Sequence, residues 1–195
     1  ATNLVSGDTN VKSDIFVFDL QTDTIKLASV TSTGTLGNGV SSEPSISADG
    51  RFVAFHSTAT NLVSGDTNGF SDIFVFDLQT NAIQRVSVDS SGEQGNDDSN
   101  YASISADGRY VAFRSGASNL VPGDIAGIYD VFVYDRQTNA IQRANVDASG
   151  AEGNMGGFDP CISADGQYVA FYSSSTNFVT GDTNGFADIF AAPVQ

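Results

Sequence analysis

The residues best placed to do chemistry are aspartates in a recurring loop. Asp8-Thr-Asn10-Val-Lys-Ser-Asp14 returns as Asp66-Thr-Asn68-Gly-Phe-Ser-Asp72 and as Asp182-Thr-Asn184-Gly-Phe-Ala-Asp188. The first, third and seventh positions carry side-chain oxygens, and a turn brings alternate oxygens toward one point. The fifth carbonyl (Lys12, Phe70 or Phe186) adds another. Calcium takes roughly 6–8 hard oxygens at about 2.3–2.6 Å. The loop alone does not complete that shell, so waters or a second loop would finish it. A modest dissociation constant, on the order of 10⁻⁴–10⁻³ M, follows. On the competing reading the same residues only form Asx turns and cap the next strand, without metal. The third copy separates the two readings. In Asp124-Ile-Ala126-Gly-Ile-Tyr-Asp130 an alanine replaces the asparagine. With one oxygen gone, Asp124 and Asp130 should form a weak or empty site. No His or Cys cluster offers a zinc or copper site.

Other reactive residues read as structural. His56, the single histidine, is exchanged for Arg114 and Tyr172 at matching positions, which suits a rim side chain better than a general base. Cys161 stands where Ser45 and Ser103 stand and reads as a small buried thiol. No Ser-His-Asp set can be assembled. Glycoside hydrolysis would need two placed carboxyls and usually aromatic platforms, and the absence of Trp weighs against stacking on sugars. A non-catalytic chain is the expectation.

These loops belong to a larger repeat. Gly7, Gly65, Gly123 and Gly181 head the four loops at a period of 58 residues. Ser45-Ile-Ser-Ala-Asp-Gly50 recurs at 103–108 and, with Cys161 in place of the first serine, at 161–166. A fixed period of this size marks a stack or ring of like units. Within the unit 100–157, Tyr101–Ser105, Arg109–Phe113, Asp130–Asp135 and Ala140–Val146 read as strands. Ala106-Asp107-Gly108 and Arg136-Gln-Thr-Asn139 mark the tight turns between them. Two long loops, 115–127 and 147–157, complete the unit. Ile15–Phe18 and Ile73–Phe76 are apolar without alternation, as strands buried on both faces are. Phe55, Phe113 and Phe171 hold one place in each second strand and are expected in the core. Four antiparallel strands per unit, repeated radially, predict an all-β β-propeller. Alternating strand direction puts both long loops on one face, where function is expected. There Asn38, Asn96 and Asn154, in a Gly-x-x-Gly-Asn frame, either lock their own turn or line a polar ligand site.

Composition narrows the partners. Eight Lys+Arg against 23 Asp+Glu give a net charge of −15, and 20 of those acids are Asp. Such a surface repels phosphate backbones and anionic lipid, so neither nucleic acid nor membrane insertion is expected. Asp over Glu, together with 20 Gly, favours turns over surface helices. One cysteine excludes an intrachain disulfide.

Ser-Ala-Asp-Gly-Arg-(Phe/Tyr)-Val-Ala-Phe, followed by Asp-Ile-Phe-Val-Phe-Asp-Leu-Gln-Thr, resembles the PD40 repeats of TolB-like β-propellers, and the likeness covers the whole chain. The family's usual Trp is absent, and Ala48, Ala106 and Ala164 replace its turn proline. The resemblance implies architecture and leaves activity open. The Asp loops also resemble those of EF-hands and integrin-type propellers, which implies Ca²⁺ as the cofactor.

At a 58-residue period the 195 residues make about 3.4 repeats: partial units at 1–42 and 159–195 flank full ones at 43–100 and 101–158, all in one domain. Ala1-Thr2-Asn3-Leu4-Val5 matches 59–63, so the sequence begins inside a repeat and reads as a processed piece. A propeller typically needs about 4–8 blades. Either a longer chain completes the ring, or a homodimer does, pairing strands around 159–173 of one copy with those around 13–30 of another. The expectation is a secreted, cell-surface or periplasmic binding or scaffold module, stabilised by calcium, with a protein or glycan partner. The alternatives are the accessory propeller of a larger hydrolase or lyase and a glycan-binding propeller.

Overall fold

The computed structural model describes residues 4, 5, 7–125 and 127–195; Ala1-Thr2-Asn3 of the sequence match lies outside them. The chain folds into thirteen strands in four antiparallel sheets, with no helix among the described residues. Strands β1 (Phe16–Asp19) and β2 (Thr24–Leu27) form a two-stranded sheet. The first full blade holds β3 (Ser41–Ile46), β4 (Phe52–Ser57), β5 (Asp72–Asp77) and β6 (Ile83–Arg85). The second holds β7 (Ser99–Ile104), β8 (Tyr110–Ser115), β9 (Asp130–Asp135) and β10 (Ala140–Arg143). The last sheet has β11 (Gly157–Ile162), β12 (Tyr168–Ser173) and β13 (Asp188–Pro193). This is an open array of propeller blades.

The predicted fourth strand is three residues too long. Ala144 N–H bonds Val131 O, but Val146 leaves the sheet to bridge Glu152 across the long loop. The chain must turn there to reach the next blade.

Blades pack face to face. Val53, Phe55, Phe74 and Phe76 meet Ile15, Ala28 and Val30 of the preceding sheet, while Ala54, Ile73 and Val75 meet Val111, Phe113 and Phe132 of the following one. Every residue of β5 and β9 is therefore buried, which explains why these strands are apolar without alternation. The expected core phenylalanines are buried and each pairs with a ring on the neighbouring strand: Phe55 with Phe74 at 6.0 Å, Phe113 with Phe132 and Phe171 with Phe190 at 5.9 Å. Between blades, Ala48 N–H bonds Ala106 O and Ala106 N–H bonds Ala164 O, so the turn alanines stitch neighbouring units together.

Cys161 is exposed, against the expectation of a buried thiol. Its counterparts Ser45 and Ser103 accept Ile104 N–H and Ile162 N–H from the next inner strand. No described blade follows β11 to cover Cys161.

The Asp-Gly turns also set blade spacing. Gly108 has φ +72°, and a Cβ there would lie 2.2 Å from the Phe52 ring of the preceding blade; Gly50 has the same φ with nothing within 4 Å. Gly50→Ala should therefore cost about 1–2 kcal/mol, the left-handed backbone penalty alone. Gly108→Ala should cost about 2–4 kcal/mol, because overpacking adds to it. Urea midpoints at an unchanged m-value check the difference.

Candidate functional site

Strand direction places the turns β3–β4 and β5–β6 at one end of each blade, and the long loops at the other. Two clusters occupy the long-loop end, one at the periphery and one at the inner strands.

The peripheral cluster holds the predicted aspartates. Asp72 is fully buried as the first residue of β5, and its Oδ1 accepts Ser87 Oγ–H at 2.5 Å. Arg85, the last residue of β6, sets Nη1 3.4 Å from both Asp66 Oδ1 and Asp72 Oδ2, and donates to Gln94 Oε1 at 2.8 Å. The next unit repeats the arrangement. Asn145 replaces the serine and donates to Asp130 Oδ1 at 2.5 Å. Arg143 Nη1 lies 3.1 Å from Asp124 Oδ1, 3.4 Å from Asp130 Oδ2 and 2.6 Å from Glu152 Oε2. Burial pushes Asp66, Asp72, Asp124, Asp130 and Glu152 above the usual carboxylate range, with the arginines pulling the other way.

The structure thus brings Asp66 to Asp72 and Asp124 to Asp130 around an arginine, while the third position turns its nitrogen and not its oxygen toward the seventh: Asn68 Nδ2 lies 3.4 Å from Asp72 Oδ2. Asn68 Oδ1 accepts Phe70 N–H, while its Nδ2 donates to Gly95 O. Asn10 Oδ1 accepts Lys12 N–H and Asn184 Oδ1 accepts Phe186 N–H in the same way. These are Asx turns: a backbone N–H lies two residues downstream, within reach of a side chain that needs no rearrangement. Asn184 Nδ2 donates to Asp188 Oδ2 at 3.0 Å, and both Asp182 and Asp188 are only half-buried. Ala126, which distinguishes the third loop in sequence, lies outside the described residues. The loop expected to be weakest is the one that gains a third acid: Asp124, Asp130 and Glu152 bring one oxygen each within 4.8 Å of one another. Glu152 comes from the next long loop, and only pairing in space reveals it.

Asn38, Asn96 and Asn154 do not lock their own turns. Asn38 Nδ2 donates to Thr60 Oγ1 while Thr60 N–H bonds back to Asn38 Oδ1, and Asn61 Nδ2 donates to Leu36 O. Asn96 with Ser118 and Asn119, and Asn154 with Thr176 and Asn177, do the same. The asparagines clamp two long loops together. The Asn-(Leu/Phe)-Val repeat at 61–63, 119–121 and 177–179 carried that signal in the sequence.

The inner cluster has no spacing signal in the sequence. Glu43, Tyr101 and Asp159, one period apart, all adopt left-handed φ (53°, 57° and 47°) where β3, β7 and β11 bulge. Non-glycine residues pay about 1–2 kcal/mol for this conformation, and a bulge re-aims the side chain. A chain of contacts crosses three blades there. His56 Nδ1 is 3.2 Å from Glu43 Oε2, which also accepts Tyr101 N–H. The Arg114 guanidinium lies 3.9 Å from the Tyr129 ring centre, 4.6 Å from Phe158 and 5.8 Å from Tyr101. Phe158 in turn stacks on Tyr172 at 5.2 Å. Arg114 has no carboxylate within 4 Å among the described residues, and its buried Nε and the buried Oδ1 of neighbouring Asn100 both lack a hydrogen-bond partner. The rings hold the cation in place without neutralising it.

Comparison with known proteins gives the same architecture. No protein-family model and no curated protein matches the sequence. Among solved structures the chain is similar to TolB from Acinetobacter baumannii (TM-score 0.54, 23% identity), covering 97% of this chain and 39% of TolB. It is similar to the tricorn protease (TM-score 0.55, 18% identity) over 86% of this chain and 14% of that one. It is similar to dipeptidyl peptidase 4 of Porphyromonas gingivalis (TM-score 0.50, 15% identity) over 84% and 25%. The chain has the TolB-like propeller fold and spans well under half the length of each of these.

Charge at the peripheral cluster gives a pH signature. Asp130 is pushed up to about 6, first by burial and then by Asp124, above its ordinary 3.8. Between those values the folded chain holds a proton that the unfolded chain has released, so this stability is full below pH ~4 and is lost as pH rises through ~6. Asp135 has the opposite sign: its bond to Arg109 holds it at about 2, so its contribution is lost on acidification below ~4. Melting temperature should fall from pH 4 to 7, and Asp130→Asn should flatten that fall by about 1–3 kcal/mol. Thermal melts across the range measure it.

Proposed function

We propose that this chain is a recognition module, part of a β-propeller that binds a protein or glycan partner through the inner strands of its long-loop end and does no chemistry of its own. One observation carries the reading. Four positions at which the units change chemistry converge there: Glu43/Tyr101/Asp159, His56/Arg114/Tyr172, Ser42/Asn100/Phe158 and Ser71/Tyr129/Ala187. The framework is repeated for folding, whereas these positions are individualised, which is what a single asymmetric ligand on a repetitive scaffold requires. Strained backbone at the first of these positions, in Glu43, Tyr101 and Asp159, supports it, since such strain gathers at binding sites. Arg114 selects an anionic group, because a planar guanidinium matches a carboxylate with two parallel hydrogen bonds.

Free-carboxylate peptides and uronate oligosaccharides, titrated separately and followed by amide shifts, distinguish a protein from a glycan partner. Shifts are expected at the long-loop ends of β3, β7 and β11, and Arg114→Ala should weaken binding about tenfold to a hundredfold. Binding unchanged in Arg114→Ala, or shifts confined to the short-turn end, would sink the reading.

A second reading, the calcium-stabilised rim, is favoured by the Asp124–Asp130–Glu152 triad, a set of hard oxygens of the kind calcium takes. Calcium entering there has to displace Arg143, which already touches all three acids. With arginine as the resident cation, melting temperatures in millimolar calcium and in chelator should coincide within about 1 °C. A rise of several degrees in calcium, lost in Glu152→Gln, would establish the metal instead.

A further inference from the structure

The periphery of the first unit is built like its two successors but lacks their cation. Asp14 leads into the strand as Asp72 and Asp130 do, and its Oδ1 accepts Ser29 Oγ–H at 2.6 Å, as Asp72 accepts Ser87. Asp8 stands where Asp66 and Asp124 stand. One period before Arg85, however, the chain carries Leu27, and one period before Gln94 it carries Leu36. The arginine and its extra acceptor are both replaced by leucine.

Two carboxylates are left facing inward. Asp8 is only 5% exposed, and both of its carboxylate oxygens are buried with no hydrogen-bond partner among the described residues; Asp14 Oδ2 is in the same state. No lysine or arginine among the described residues lies within 4 Å of either. Uncompensated buried charge is costly, and in the next two units the chain answers it with a guanidinium. Here the space is open: Asp8 lines a cavity of about 1020 Å³ whose other walls include Ile25, Leu27, Val30, Leu36 and Phe76. Asp23, Asn81 and the hydroxyls of 31–33 line the same cavity, and its one lysine, Lys26, donates to Leu78 O, so the apolar wall beside Asp8 is the one where Leu27 and Leu36 stand in place of Arg85 and Gln94. An alkyl stem packs on Leu27 and Leu36 while its charged head meets the acid.

We propose that the first unit receives a guanidinium group from outside the unit, an arginine side chain of a partner polypeptide or a small guanidinium compound, seated between Asp8 and Asp14 as Arg85 and Arg143 are seated in the next two units. The planar head bridges the two acids and the stem lies against Leu27 and Leu36. This site is separate from the Arg114 surface and selects the opposite charge, so each can fail without the other.

N-acetyl-arginine amide, N-acetyl-lysine amide and calcium chloride, each titrated into the protein and followed by amide shifts at 8–15 and 27–36, test it. The arginine amide should bind one site with shifts there and more tightly than the lysine amide. Asp8→Asn should weaken it about tenfold or more. Leu27→Arg supplies the head group internally, so it should abolish binding and raise the melting temperature by about 2–4 °C. Arg85→Leu should open a like site at Asp66 and Asp72 and raise the stoichiometry from one to two, which keeps the test decisive if Leu27→Arg does not fold. An arginine-bearing peptide that binds more tightly than the amide identifies a polypeptide source; equal affinity identifies a small compound. Calcium shifting these residues while the arginine amide does not, no shift from any of the three cations, or undiminished binding to folded Asp8→Asn would each overturn the proposal.

Discussion

A strand buried on both faces must take its polar ends inside with it. That constraint organises this chain. β5 and β9 lie between two blades, and each begins and ends in aspartate. Asp72 and Asp130 are fully buried at one end, Asp77 and Asp135 nearly so at the other. The apolar middle drives the packing, at about 25 cal/mol per Å² of surface removed from water. The aspartates then need cations, and the chain supplies an arginine at each end. Arg51 and Arg109 grip Asp77 and Asp135 with two hydrogen bonds apiece. Arg85 and Arg143 close the long-loop end.

The same constraint explains what changes toward the ends of the array. In the last sheet Gln167 replaces the short-turn arginine and Pro193 replaces its aspartate, so the two members of the pair disappear together. β13 alternates between half-buried and exposed residues and has no buried carboxylate to neutralise. In the first unit only one member has gone: Leu27 has replaced the arginine while Asp8 and Asp14 stay buried or half-buried. A buried acid kept without its partner is costly, and that cost is the physical ground of the guanidinium site proposed for the first unit.

The long-loop end therefore carries two surfaces of opposite charge. The periphery concentrates carboxylates around the chain's own Arg85 and Arg143. The inner strands hold Arg114 among aromatic rings, in a chain whose net charge is −15, and an anion is the ligand proposed for them. Both depend on the asparagine clamps that fix the two long loops against each other, since loops this rich in Gly and Ser would otherwise lose their geometry to entropy.

Much of this was readable without coordinates. The 58-residue period, the unalternating apolar strands and the Asp-Gly turns determine propeller blades, because periodicity and turn chemistry are local properties of the chain. The aspartates that bracket each apolar run directly, Asp72 and Asp77 or Asp130 and Asp135, are also visible in the sequence, but not their meaning. Oxygen spacing alone pointed to calcium. Folding delivered Arg85 and Arg143 from a different strand to the point where the oxygens converge, and turned Asn68 onto its own backbone. The cluster around Arg114 draws on three blades, and Cys161 is exposed for want of a described neighbour that no single unit could reveal. Sequence determined the unit, since its forces act between near neighbours. Which cation meets which acid, and which faces stay open, were decided by contacts between residues far apart in the chain.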